Sequence, residues 1–328
     1  STLSVKQLEC IMQKIKCTFN FHGDMETSME MNPGTASKEK CRALYQMGIN
    51  RLSIGLQSTN DMELKTLGRI HSYEDFLNTY TWCREAGFQN INVDLMAALP
   101  YQTVESYTTG LRKIIRLAPE HISAYSLILE EGTPFYQKYN SGCYPLPDEE
   151  QERLMYRETE QILAQAGYER YEISNYAKKG YACRHNLVYW QGGDYLGLGL
   201  GSSSYMDDVR FHNTTDLDTY VNQGAYVEDR EELSVQAKME EFMFLGLRVM
   251  AGVSGTEFEK RFGKTMEDVY GDVLRKHEEE GLLQIERKED RKEAAAAEPA
   301  KGKTNIEKVM LTTNGVDVSN YVFADFLL

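Results

Sequence analysis

Three polar side chains stand where strands should bury apolar ones, and their types suit the binding of a small charged ligand. Glu30 lies in an extended stretch at 27–32, Gln57 closes a second at 51–57, and Asp94 sits midway along a third at 90–98. In the second stretch Leu52, Ile54 and Leu56 alternate with Ser53, Gly55 and Gln57. In the third, Val93, Leu95, Ala97 and Leu99 alternate with Asn92, Asp94, Met96 and Ala98. Strand side chains alternate between faces, so Gln57 and Asp94 share the face opposite the aliphatic set. Glu30 and Gln57 fall at the carboxyl ends of their strands, the edge on which α/β folds build their sites. Arg69, in Gly68-Arg69-Ile70-His71-Ser72, follows soon after Gln57 and offers a guanidinium that can clamp a carboxylate. The competing reading is a polar floor whose groups satisfy one another's hydrogen bonds, with Arg69 in a surface ion pair. Alternation alone leaves both open.

The elements that must position these residues follow a regular rhythm. Residues 4–18 predict an amphipathic helix with Ser4 as N-cap. Strands are expected at 27–32, 51–57, 90–98 and 121–129, the first stopped by Pro33 and the third by Pro100. Between them lie helices opened by Ser37, Asn60, Ser72 and Thr103, and Gly87 sits at the C′ position of the third. A βα series of this kind implies a parallel sheet, curled by right-handed crossovers into a barrel or laid out as a doubly wound sheet. From about residue 146 the pattern changes. Asp148 and Gln151 form a capping-box pattern for a long helix ending at Gly167, and a Gly- and Tyr-rich stretch, 168–205, reads as loop. From Val235 the chain is helical again, with Phe242, Leu245 and Val249 on one face, and helices are expected near 255–262 and 266–280. Segments 282–285 and 308–311 can pair as a two-stranded wing, and the Lys/Glu/Ala-rich run 286–305 reads as a disordered wing tip. The expected units are therefore 1–145, a linker region 146–233, and 234–328.

Composition sets the bounds. The chain of 328 residues carries Lys+Arg 36 against Asp+Glu 50, a net charge of −14. That balance argues against a nucleic-acid binder, and the 14 basic and 18 acidic residues of 234–328 argue the same for the wing. No apolar run approaches the ~18 residues of a membrane span. Six cysteines, at 10, 17, 41, 83, 143 and 183, form no CxxC pair. Cysteines scattered in this way, with no signal peptide, point to a reducing cytoplasm.

The strings MEMNPGT (29–35), GINRLSIGLQS (48–58), LGRIHS (67–72), NINVDLMAALP (90–100) and EHISAYSLILEEGTPFY (120–136) resemble the radical S-adenosylmethionine (SAM) family of the HemN and HemW type. That family comprises oxygen-independent coproporphyrinogen III oxidases and related haem chaperones. The resemblance implies an α/β fold: an incomplete parallel (βα)6 radical SAM barrel, then a mostly α HemN-type C-terminal domain with a winged-helix-like end. It also implies that Glu30, Gln57, Arg69 and Asp94 contact SAM, the four residues that the strand pattern already singles out. The family holds a [4Fe–4S] cluster on CxxxCxxC, and cluster iron needs thiolates. No three of the six cysteines have that spacing, and the family's Gly-Gly-Gly-Thr-Pro-Ser stretch is missing too. Ser1 therefore reads as the start of a piece that lacks the cluster-binding segment and the barrel's first strands, with the cluster expected only in a longer chain.

Within that family, His185-Asn186-Leu187-Val188-Tyr189-Trp190 matches the HNxxYW motif that separates the HemW type from the HemN type, and the resemblance ties it to haem. Imidazole ligates haem iron, so His185 is the candidate metal ligand. Tyr189 and Trp190 offer flat faces to a porphyrin, and Asn186 can orient the ring. The alternative is a packed aromatic cluster around a hydrogen-bonded His. Cys183 is a further soft ligand or an inert thiol. The Gly-rich run 197–201 lacks the flanks of a dinucleotide loop, and Ser202, Ser203 and Ser204 stand where relatives carry Ala-His-Ser. Three functions follow as expectations. The first is a cytoplasmic haem chaperone that passes haem or a porphyrin to client proteins, meeting membranes only through those clients. The second is a coproporphyrinogen oxidase-like enzyme of porphyrin biosynthesis, not competent without the cluster motif. The third is an inactive barrel fragment.

Overall fold

Leu52, Ile54, Leu56, Ile91, Val93 and Ile122 are fully buried and recur at every second residue along their strands, so one face of a sheet must pack under helices. The computed structural model describes residues 2–224, 226–288 and 306–328, and the chain separates into two compact units, Ser1–Ala182 and Cys183–Leu328.

The first unit begins with α1 (Val5–Thr18), started by a capping box between Ser4 and Gln7. There follow β1 (Ser28–Met31), α2 (Lys38–Gln46), β2 (Arg51–Gln57), α3 (Asp61–Thr66) and α4 (Tyr73–Ala86). Then come β3 (Ile91–Ala97), α5 (Val104–Arg116), β4 (His121–Ser126), α6 (Pro134–Asn140), α7 (Glu149–Gln165), β5 (Glu169–Glu172) and β6 (Asn175–Ala177). Ser37, Asn60, Ser72, Thr103 and Asp148 each cap the helix the sequence assigns to them. Gly87 ends α4 at φ +111°, and a Cβ there would stand 2.9 Å from the Tyr45 ring, so both backbone and packing demand glycine. On α5, Tyr107, Leu111 and Ile114 form the buried stripe.

The sheet runs β1-β2-β3-β4-β6-β5. Its first four strands are parallel, β6 is antiparallel to β4, and β5 is antiparallel to β6. Among the described residues it stays open, so the barrel is the incomplete one expected. The β5–β6 hairpin lies inside the stretch read as loop. It forms because Asn175, Tyr176 and Ala177 register on Ser123, Ile122 and His121, extending the core across the edge of β4.

The second unit opens with α8 (Arg184–Trp190), also inside the stretch read as loop. An antiparallel sheet follows, of β7 (Ser203–Met206), β8 (Val209–Asn213) and, after α9 (Leu217–Gln223), β9 (Val227–Glu232). Next are α10 (Val235–Gly246), β10 (Val253–Ser254), α11 (Gly255–Phe262), α12 (Met266–Glu279), β11 (Leu283–Arg287), β12 (Ile306–Leu311), α13 (Thr313–Asp317) and α14 (Ser319–Ala324). The wing exists with a third strand, in the order β10-β12-β11. Two expectations need correction. Val249 lies beyond α10, which stops at Gly246. A Cβ at Gly246 would meet Val253 Cγ1 at 2.3 Å, so this glycine lets β10 close on the helix. Glu286 and Arg287 are not part of a disordered tip: they continue β11, and Arg287 pairs with Glu278 at 2.6 Å. The rest of that run, 289–305, lies outside the described residues. No helix among the described residues is long and apolar enough to cross a membrane.

Candidate functional site

In the first unit the sheet face opposite the aliphatic core is polar, and it divides into two layers. The lower layer is a network of hydrogen bonds that also reaches up to Asp94. Arg51 Nη1 donates to Ser28 Oγ at 3.0 Å. Asn92 Nδ2 donates to Ser53 Oγ at 2.7 Å, and Asn92 Oδ1 accepts from Ser123 Oγ and from His121 Nδ1 (2.6 Å). His121 Nε2 then takes the Tyr171 hydroxyl at 2.8 Å. Both ring nitrogens are thus satisfied by a neutral imidazole. Burial, with the Arg51 charge adding to it, holds His121 well below the usual histidine range.

The upper layer contains the residues singled out in the sequence. The register pairs Glu30 with Ser53, Gly55 with Asp94, and Asp94 with Ser123, so the two acids stand on adjacent parts of one face. Asp94 accepts from Asn92 Nδ2 at 2.6 Å and from Ser53 Oγ at 3.2 Å. Burial nevertheless pushes its carboxyl up, hydrogen bonds from Ser123, Asn92 and Ser53 oppose this, and the Glu30 charge adds to it. Gln57 is buried and sits at φ +72°, a strained position for a side chain other than glycine. A Cβ on Gly55 would meet Gln57 Nε2 at 3.2 Å and Asn32 Oδ1 at 3.6 Å, so Gly55 leaves room for both amides. Arg69 follows α3 on a loop pinned by His71, whose Nε2 lies 3.1 Å from the Leu56 carbonyl.

One residue that the sequence reading passes over ties the layer together. Tyr125, on β4, donates to Gln57 Oε1 at 3.0 Å. Burial pushes its phenol up to about 12. Asp94 and Glu30 reinforce that, whereas Gln57 and Arg69 oppose it. The charges of Asp94, Arg69 and Glu30 therefore all reach the hydroxyl that holds Gln57. The signal was present: His121, Ser123 and Tyr125 alternate with Ile122 and Ala124 as on the other strands.

In the second unit α8 carries the HNLVYW string, and helical spacing splits it into two stripes. His185 and Tyr189, four apart, share one. The Tyr189 hydroxyl and His185 Nε2 are hydrogen-bonded at 3.0 Å, and the rings meet edge-on at 4.7 Å. Tyr189 in turn meets Tyr195 at 4.6 Å, and Tyr195 stands 6.3 Å from Tyr205. Burial, and Tyr195 beside it, raises the Tyr189 phenol. Asn186 and Trp190, also four apart, occupy the next stripe, where the Arg248 guanidinium lies 4.5 Å from the Trp190 ring. His185 is exposed, whereas Asn186, Tyr189 and Trp190 are half-buried. Cys183, just before the helix, is buried.

An iron–sulfur cluster does not fit the residues present. Cys41 and Cys83 face each other at 3.5 Å, both buried between α2 and α4, which gives two thiols and not three. Among the described residues no group of three or more His, Cys, Asp or Glu side chains is placed to hold a metal ion.

Comparisons with known proteins bear on both units. The radical SAM superfamily profile matches residues 4–114, and the HemN C-terminal domain profile matches 233–289. A haem chaperone HemW of Lactococcus lactis is 34% identical over 331 residues, covering 100% of this chain and 82% of its own. The HemW of Bacillus subtilis is 36% identical over 288 residues, covering 86% and 76%. A mitochondrial radical S-adenosyl methionine domain-containing protein 1 of Bos taurus is 33% identical, covering 87% and 68%. Among solved structures, coproporphyrinogen III oxidase (HemN) of Escherichia coli superposes with a TM-score of 0.80 at 20% identity, over 99% of this chain and 75% of that one, a likeness of fold.

Proposed function

The chain belongs to the HemW family of radical SAM proteins, and from that premise we propose that it binds haem on α8 and passes it to a haem-accepting client protein. The observation that carries this is the His185–Tyr189 pair: an exposed imidazole set edge-on against a tyrosine, with Tyr195 and Tyr205 extending the aromatic row. Tyr189 and Tyr195 offer ring surface to a macrocycle, backed by the buried Tyr205, and the imidazole offers a nitrogen to its iron. The relatives' name, haem chaperone, supports the same reading.

For the first unit we infer a SAM-binding role, with Glu30 and Asp94 as acceptors, Gln57 as a two-way amide and Arg69 as the partner of a carboxylate. Asp94 favours this assignment. A carboxyl that burial pushes up gains from a cationic sulfonium or from hydroxyl donors. SAM supplies that sulfonium when bound.

Titrating the protein with hemin and following the Soret band tests the haem reading. The parent should give a saturable shift at stoichiometric hemin, and His185→Ala should weaken binding about tenfold and change the band position. If His185→Ala matches the parent in both, the ligand assignment fails.

A further inference from the structure

Behind α8, the second unit encloses a cavity of about 360 Å³, walled by Trp190, Phe242, Val249 and Val253 and floored by Gly246 and Gly252. That volume falls in the range of small-molecule sites, roughly 300–1,000 Å³. The floor is fixed by glycine. A Cβ at Gly252 would stand 2.1 Å from the Val309 carbonyl oxygen, and one at Gly246 2.3 Å from Val253 Cγ1. The space is thus left by tight backbone packing, with mainly apolar walls.

The charges at its lip are committed, with one exception. Lys238 pairs with Asp208 at 2.6 Å, Glu241 with Arg210 at 2.9 Å, and Glu257 with Lys260 at 3.7 Å. Arg261 lines the same cavity. Its guanidinium lies against Gly192, where a Cβ would stand 3.5 Å from Nη1, faces the Phe262 ring at 5.7 Å, and acts on Asp208 and Tyr205 only through its charge. Among the described residues no carboxylate stands within ion-pair distance of it. The buried indole N–H of Trp190 likewise has no acceptor among the described residues. An apolar slot with a guanidinium and an indole donor at its edge is the complement of a flat apolar anion that carries a carboxylate.

We propose that this cavity takes the carboxylate-bearing edge of a tetrapyrrole, with Arg261 engaging a propionate and Trp190 stacking beside it. This rests on the reading that haem is carried by α8. Trp190 links the two, since it ends the helix on which His185 sits. The two residues are five positions apart on α8, about 7.5 Å along the axis and roughly 140° around it.

The test uses the full chain, hemin, and hemin dimethyl ester, whose propionates are masked. The parent should bind hemin about tenfold more tightly than the ester. Arg261→Gln should lose about that factor for hemin and nothing for the ester, and Arg261→Lys should recover part of it. Arg261 is exposed, so the variants should keep the parent far-UV circular dichroism. Equal binding of hemin and ester by the parent, or unchanged hemin affinity in Arg261→Gln, overturns the cavity assignment. If His185→Ala leaves the Soret band unmoved while the parent still discriminates against the ester, α8 ligation fails and the cavity stands.

Discussion

His121 allows a direct test of whether the polar face is a buried network or an open site at that depth. Its side chain is fully buried, and both ring nitrogens are engaged by Asn92 and Tyr171 as a neutral ring requires. Its folded pKa therefore lies well below the ordinary 6.5. A base depressed in this way is neutral in the folded chain while the unfolded chain takes up a proton. Stability is then complete above about pH 6.5 and is lost as pH falls below it. The loss is negligible at pH 7.5 and grows as pH falls, reaching on the order of 1 kcal/mol by pH 5.5. Asp94 works in the opposite sense. Its raised carboxyl favours the folded state as pH falls between 3.8 and its folded value, so the parent curve alone mixes the two. Comparison with His121→Gln removes the mixture, because Asp94 is common to both. The two tryptophans allow the first unit to be read alone: in a Trp190→Phe background, Trp82 on α4 is the remaining one. Urea unfolding followed by its fluorescence at pH 7.5 and 5.5 should show the parent losing on the order of 1 kcal/mol more than His121→Gln. The static cost of the substitution cancels in this difference. Equal pH dependence of the two proteins would refute a neutral, sequestered His121.

Asp94→Asn should leave the ligand-free protein as stable as the parent or more so at pH 7, since it removes a carboxylate that burial disfavours, and should abolish the rise in Tm with SAM. A Tm rise equal to the parent's would remove Asp94 from the site. Tyr125→Phe should cost about 1–3 kcal/mol in urea unfolding, because it strips the buried Gln57 oxygen of its donor, and should also weaken SAM binding. Phe258→Ala should cost about 3–5 kcal/mol in the Trp190-reported transition, because the fully buried ring touches Phe242, Phe262 and Tyr270.

What could be read in the sequence was local. Ser4, Ser72 and Thr103 announce their helices because a cap needs a partner only three residues on. Strand β2 falls where its alternation places it, at Arg51–Gln57. What escaped was non-local. The β5–β6 hairpin spans short strands whose stability comes from pairing with β4, some fifty residues earlier in the chain, and nothing in Asn175-Tyr176-Ala177 marks that partner. Helix α8 is one of seven residues with no side-chain cap on Cys183, so its start carries no signal. The termination of α10 at Gly246 is set by Val253 crossing it, a contact that no periodicity contains. At the candidate site, strand alternation reached Glu30, Gln57 and Asp94. Tyr125 was missed although it obeys the same rule, because an aromatic residue in a strand draws no attention as a polar group.

The layering of the polar face bears on the choice that alternation left open. Both readings describe part of it. Asn92, Ser123, His121 and Tyr171 satisfy one another, which is the behaviour of a floor. One pleat nearer the carboxyl ends, Asp94 has its donors and is still pushed up by burial, and Gln57, whose backbone is left-handed, takes a hydrogen bond from Tyr125 on its side-chain oxygen. A buried carboxyl and a backbone-strained amide on one patch, with the exposed Glu30 nearby, cost stability that a bound ligand would offset. The same division recurs on α8, where the His185–Tyr189 stripe carries an exposed imidazole and the Asn186–Trp190 stripe turns toward the cavity. In both units a strained or exposed polar group stands beside satisfied ones, and these are the groups the proposed ligands would engage.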